Sequence, residues 1–183
     1  SIQKLIQTKL SKLLKEKISL IGSGRTDSGV HAIEQSAHFD CKKKIQNLDK
    51  FLKSVNHFVN DMNVSIINIK KRNINFHARF SAKQRIYKYV IFNRVSRPSI
   101  EKGRGWHIIK KLDISLMKKG AKKLLGKKDF STFRSSSCSA KSPIRTIKSI
   151  KIKSIKGRIE IQFKSQSFLQ QQVRSMVGCL KYL

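Results

Sequence analysis

The residues best placed to do chemistry lie in one short loop, Gly22-Ser-Gly-Arg-Thr-Asp-Ser-Gly29. Its glycines at 22, 24 and 29 permit a tight backbone, and between the last two sit Arg25, Thr26, Asp27 and Ser28. Neither common phosphate cradle fits. A dinucleotide fingerprint needs glycine where Asp27 stands, and a P-loop needs Lys-Ser/Thr directly after Gly29, where Val30-His31 follow. A carboxylate also repels a phosphate. Spacing alone leaves two readings of Asp27: an Asx-turn residue capping the segment that follows, or a carboxylate with chemical work to do. A paired-carboxylate hydrolase is poorly served, because the next acid is Glu34, inside a segment that reads as a strand.

The elements that must position this loop are legible on both sides of it. Ile2, Leu5, Ile6, Leu10, Leu13 and Leu14 recur three and four apart and predict a helix from the first residues. Ile18 to Ile21 predicts a short strand entering the loop, and Val30 to Cys41, loosely alternating, a strand leaving it. Leu48, Phe51, Leu52, Val55 and Phe58 predict a helix over 48–59, and Val64 to Ile69 another strand. Further on come an aromatic and β-branched strand, Ile86 to Phe92, and a helix over 114–125 with Asp113 as N-cap. Ile147–Ile155 and Ile159–Phe163, joined through Lys156-Gly157, predict a hairpin, and 168–183 has helical spacing. Ser135 to Ser139 reads as a mobile loop.

Strands and helices mixed in two successive sets predict an α+β protein of two similar halves, each an antiparallel sheet with helices on one face. The expected halves are 1–80, with the Asp27 loop, and 81–183. The first half lacks an opening strand and the last helix leads nowhere, so the sequence reads as truncated at both ends.

The chain has 183 residues, 39% of them hydrophobic, enough for one substantial core or two small ones. Against 41 Lys+Arg stand 10 Asp+Glu, a formal net charge of +31, which points to a polyanionic partner. No segment approaches the roughly 18 consecutive apolar residues of a spanning helix, so no membrane is expected. Cys41, Cys138 and Cys179 are far apart without a C-x-x-C pair, and the five histidines lack metal-ligand spacing; a reducing cytosol and no metal are expected.

Four blocks in order resemble the tRNA pseudouridine synthase A family. Gly24-Arg-Thr-Asp-Ser-Gly-Val-His-Ala32 is similar to its signature loop, in which the aspartate is catalytic. Phe76-His-Ala-Arg-Phe-Ser-Ala82 with Arg85-Ile-Tyr-Lys-Tyr89 is similar to its second block, and Asp129-Phe-Ser-Thr-Phe-Arg134 with Arg145-Thr-Ile147 to its third. Ser167-Phe-Leu-Gln-Gln-Gln-Val-Arg-Ser-Met-Val-Gly178 is similar to its fourth.

The resemblance implies a pseudouridine synthase fold with ferredoxin-like halves, and isomerisation of uridines 38, 39 and 40 in the tRNA anticodon arm by a cytoplasmic homodimer. Asp27 would be the nucleophile, attacking C6 of the uracil or C1′ of the ribose, with no cofactor because no net electrons move. Arg174 would pair with Asp27 and hold it ionised. Tyr87 would stack on the flipped base, although Tyr87 and Tyr89 also suit a core or cross-strand pair. Arg25 would contact the RNA backbone or replace the flipped base, and Thr26 would brace the loop. The alternative function is a non-catalytic basic RNA-binding module, which explains the lysines but not the loop.

Overall fold

The computed structural model describes residues 1–183, which group into two compact units: Ser1–Thr26 with Ala32–Ala82, and Asp27–His31 with Lys83–Leu183. In the first unit helix α1 (Ile2–Leu14) begins at Ser1, whose hydroxyl accepts from the Lys4 N–H, and ends at Lys15 in the left-handed region. Helix α2 (Leu48–Val59) is capped by Asn47, whose side chain accepts from the Lys50 N–H. Leu10 and Leu14 of α1 and Phe51 and Val55 of α2 close a small core with Ile18 and Leu20.

The predicted strands of this unit are mostly not in ladders. Only Ile21–Gly22 (β1) and Ala37–His38 (β2) pair, antiparallel. Side chains replace the missing strand partners. Along one face of α1, Ser11 Oγ accepts from the Ile18 N–H at 3.0 Å and Gln7 Oε1 from the Leu20 N–H at 3.1 Å, while Gln3 Nε2 donates to the Leu20 carbonyl at 2.6 Å. The expected strand at 64–69 likewise forms no ladder: Asn56 of α2 accepts from the Ile66 N–H at 2.7 Å and donates to the Ile66 carbonyl at 2.8 Å. A buried backbone group needs a partner, and an amide side chain supplies both a donor and an acceptor.

The second unit is built on a mixed five-stranded sheet of order β4-β3-β7-β6-β5. Its strands are β3 (Arg85–Asn93), β4 (Trp106–Ile108), β5 (Gly126–Asp129), β6 (Ile144–Ile155) and β7 (Arg158–Ser165). Neighbours from β3 through β5 run antiparallel as expected, whereas β4 lies parallel to β3. The predicted hairpin is β6–β7, and Lys156 (φ 47°) and Gly157 (φ 75°) both lie in the left-handed region, the requirement of a type I′ turn. Along β7 exposure alternates strictly, with Ile159, Ile161, Phe163 and Ser165 buried. Helices α3 (Ile114–Lys123) and α4 (Gln172–Lys181) contribute Met117, Ala121, Met176, Val177 and Leu180 to the same core. Asp113 caps α3 as predicted, accepting from the Ser115 and Leu116 N–H groups.

Ser135–Ser139 is tied down: the Ser135 N–H donates to the Gln170 carbonyl and the Cys138 N–H to that of Ser135. No helix is long and apolar enough to cross a membrane.

Candidate active site

Asp27 opens a tight turn. Its carbonyl accepts from the Val30 N–H at 3.2 Å, and Gly29 sits at φ 80° in the third position. That φ is the one a type II turn demands there, and glycine adopts it without strain. Asp27 therefore does occupy a turn, but its side chain is directed elsewhere. Its Oδ2 lies 3.3 Å from Arg174 Nη2, with the two side chains 34% and 54% exposed.

Arg174 is the third residue of α4, and the approach to that helix is held from inside. Gln172, which sequence context groups with polar surface residues, is fully buried. Its Oε1 accepts from the Leu169 N–H at 2.8 Å, closing the turn that aims the first residues of α4. Met176, Val177 and Leu180 are buried in the core, so the helix that carries Arg174 is anchored on three apolar side chains of its own.

Sheet register fixes the face on which the two tyrosines lie. Directly opposed residues in an antiparallel ladder share a face. Tyr87 opposes Phe163 and Tyr89 opposes Ile161, so both tyrosines point to the helix-covered side, where Phe163 and Ile161 are buried. Tyr87 packs edge-on against Phe168, ring centroids 5.2 Å apart at 86°. Burial pushes the Tyr87 phenol up; Arg85 opposes this, and the negative charge of Asp27 reinforces it. Burial also raises the Tyr89 phenol, with Arg174 opposing. Asp27 thus acts on Tyr87 and Arg174 on Tyr89, with the ion pair between them. Arg85, on the same face as Tyr87, donates from Nη1 to the Gln166 carbonyl and joins β3 to the segment before α4.

Arg25 and Thr26 belong to the first unit and are exposed. Thr26 forms no hydrogen bond; the loop is instead tied by Gln35 Nε2 donating to the Gly24 carbonyl at 2.8 Å and the Ser23 N–H donating to the Ser36 carbonyl at 2.8 Å. Phe168 and Gln172 escaped the sequence reading as site-building residues, although both lie in the fourth block. Phe168 could have been found as the aromatic nearest Arg174 in that block; nothing in the sequence marks Gln172 as buried.

A partly exposed carboxylate held by a guanidinium, beside a half-buried phenol on a sheet, is an arrangement suited to attack on a planar, uncharged ring. Residues 121–183 match the tRNA pseudouridine synthase family. The whole chain is 80% identical, over 183 residues and 74% of the other protein, to tRNA pseudouridine synthase A of Pelagibacter ubique (strain HTCC1062). It is 42% identical over 180 residues, 98% of this chain and 73% of the other, to tRNA pseudouridine synthase A of Wolbachia pipientis wMel. The same identity over 180 residues relates it to tRNA pseudouridine synthase A of Wolbachia sp. subsp. Drosophila simulans (strain wRi).

Proposed function

The chain belongs to the tRNA pseudouridine synthase A family, and we propose that it isomerises uridine to pseudouridine in the tRNA anticodon arm, at positions 38, 39 and 40, with Asp27 as nucleophile. The observation that carries the assignment is the Asp27–Arg174 pair set beside Tyr87. A carboxylate oxygen of Asp27 attacks C6 of the uracil or C1′ of the ribose. The C1′–N1 bond breaks, the base turns, and C5 bonds to C1′ as the carboxylate is expelled. The proton lost from C5 is balanced by one gained at N1. Nothing is oxidised or reduced, so the reaction calls for no cofactor.

Arg174 is a positioning residue in this scheme: it holds the carboxylate in one orientation. Tyr87 takes the flipped uracil on its ring face, Phe168 supporting it from the side. Arg25, exposed two residues before Asp27, contacts the RNA backbone or fills the place the base has left, and Thr26 lies with it on the substrate side. The halves are residues 1–80 and 81–183, a division supported by the change of spatial grouping between Ala82 and Lys83. The working enzyme is a cytoplasmic homodimer that shares one tRNA across its subunits, with a charge of +31 to hold it.

Asp27→Asn tests the nucleophile. Pseudouridine, detected in tRNA by derivatisation or nucleoside chromatography, should fall below detection, while tRNA affinity stays equal or rises, because a negative charge leaves an anion-binding surface. Substantial product from the purified variant would sink the assignment.

A further inference from the structure

The first unit carries a ladder of four rings that the catalytic scheme does not use. Phe76 meets His38 edge-on at 5.9 Å, His38 lies 4.8 Å from His77, and His77 lies 4.4 Å from Phe80 at an interplanar angle of 33°. A cation stands over each end: the Arg72 guanidinium is 5.6 Å from the Phe76 centroid and that of Arg79 is 5.8 Å from the Phe80 centroid. We propose that this ladder is a second RNA-binding surface, on which an unpaired nucleotide of the tRNA stacks its base against Phe80 while Arg72 and Arg79 take the flanking phosphates. The proposal rests on tRNA being the substrate, but not on Asp27 being the nucleophile.

Three features favour a nucleotide over a structural role alone. Phe80 is 75% exposed, so its ring contributes little to any core. The segment around it is nonetheless rigidly built. Ala78 is buried; its N–H donates to His38 Nδ1 at 3.2 Å, and the Arg79 and Phe80 N–H groups converge on His77 Nδ1 at 3.2 and 3.4 Å. The Ser81 N–H donates to the His77 carbonyl at 2.8 Å, and Ser81 Oγ accepts from the His77 N–H. These bonds use backbone, histidine and Ser81 hydroxyl atoms, and none requires a phenyl ring at position 80. An apolar ring held out on a pre-formed turn, with one guanidinium against it and a second at the far end of the ladder, matches what an unpaired base presents: a π-face with phosphates on its own strand. A paired helix hides its base faces and would leave Phe80 without a partner.

The histidines add a polar element. Each Nδ1 accepts from the backbone, so a neutral ring carries its proton on Nε2, the far side of the ring, as a donor for a phosphate or base oxygen.

The test is Phe80→Ala and Phe80→Trp in the full chain, each with a melting temperature. The alanine variant should bind unmodified tRNA transcript about 5- to 150-fold more weakly, the range of one lost base stack. Its rate of pseudouridine formation at saturating tRNA should match the unsubstituted protein. The tryptophan variant should restore affinity, and its emission, measured above the Trp106 background, should be quenched by the transcript. Unchanged affinity in Phe80→Ala, or a loss of saturated rate at unchanged affinity, overturns the platform. If the unsubstituted protein makes no pseudouridine yet Phe80→Ala still weakens binding, the catalytic reading fails and the platform stands.

Discussion

Arg174→Met separates a positioning role from a structural one. Methionine matches arginine in helix propensity and nearly in length, so α4 itself should be undisturbed. At 3.3 Å the attraction between Arg174 and Asp27 is about 1 kcal/mol with the dielectric constant of water and about 5 kcal/mol at an effective value near 20. Both side chains reach solvent, at 34% and 54% exposure, which brings the net contribution to folding down to about 0–1 kcal/mol. A cation in the first turn of α4 also opposes the helix dipole by roughly 0.3–1 kcal/mol, so removing it returns part of that loss. The melting temperature of Arg174→Met should therefore stay within about 4 °C of the parent. Activity should not follow stability. A carboxylate free to rotate by about 1 Å away from its line of attack loses about 100-fold in rate, and kcat should fall by that order. Arg174→Lys keeps the charge but not the planar fork and should lie between the two. Single-turnover pseudouridine formation at saturating tRNA, alongside thermal melts, reads both quantities. A kcat within about threefold of the parent would refute the positioning role, and a fall of about 10 °C or more in melting temperature would make the pair structural.

Gly29→Ala should lower the melting temperature by about 2–8 °C, since φ 80° costs an alanine about 1–2 kcal/mol although its Cβ would meet no atom within 4 Å. A rise, as at an ordinary loop glycine, would contradict the turn geometry at Asp27. Glu160 tests pH. Burial raises its carboxyl, but hydrogen bonds and charge from Lys88 and Arg158 outweigh burial and hold it below its ordinary value. A carboxyl depressed in the folded state contributes stability above the ordinary carboxylate range, and that stability disappears as pH falls through the depressed value. The melting-temperature gap between the parent and Glu160→Gln should be full at pH 7 and narrow below about pH 4.5. A gap that widens on acidification would reverse the sign of the argument.

The second unit was legible because its signals are local and its periodicities unambiguous. The β6–β7 hairpin announces itself through Lys156-Gly157 between β-branched runs, and Asp113 marks the start of α3. Strands β4 and β5 were not legible. Gly126-Lys-Lys-Asp129 is exposed at all four positions, and an edge strand that buries neither face has no alternation to read. In the first unit apolar runs at 18–21 and 64–69 look like strands, yet their backbone groups are satisfied by Gln3, Gln7, Ser11 and Asn56. Three of those sit at i, i+4 and i+8 of α1, a polar stripe with no apolar periodicity to mark it as packed. At the candidate site, Asp27 and Arg174 came from resemblance rather than spacing, since they are 147 positions apart in one chain. The common face of Tyr87 and Tyr89 follows from their even spacing within a strand.

What sets Asp27 apart is how little folding gains from it. In a chain with 41 cationic and 10 acidic residues, several acids have plain structural work: Asp113 caps α3, Asp129 accepts from the Ser131 N–H, and Glu160 of β7 and Glu101 both pair with Arg158. Asp27 caps no helix, and the turn it opens is closed by its backbone carbonyl and by Gly29, not by its side chain. Its partner stands in the first turn of a helix, where a cation is disfavoured, and both side chains remain in contact with water. An ion pair so placed stabilises the protein hardly at all. Around it, by contrast, the support is firm: a fully buried glutamine closes the turn into α4, and two tyrosines are fixed on one sheet face by register. A rigid frame around an energetically idle carboxylate is the pattern expected where the carboxylate's own role is chemical.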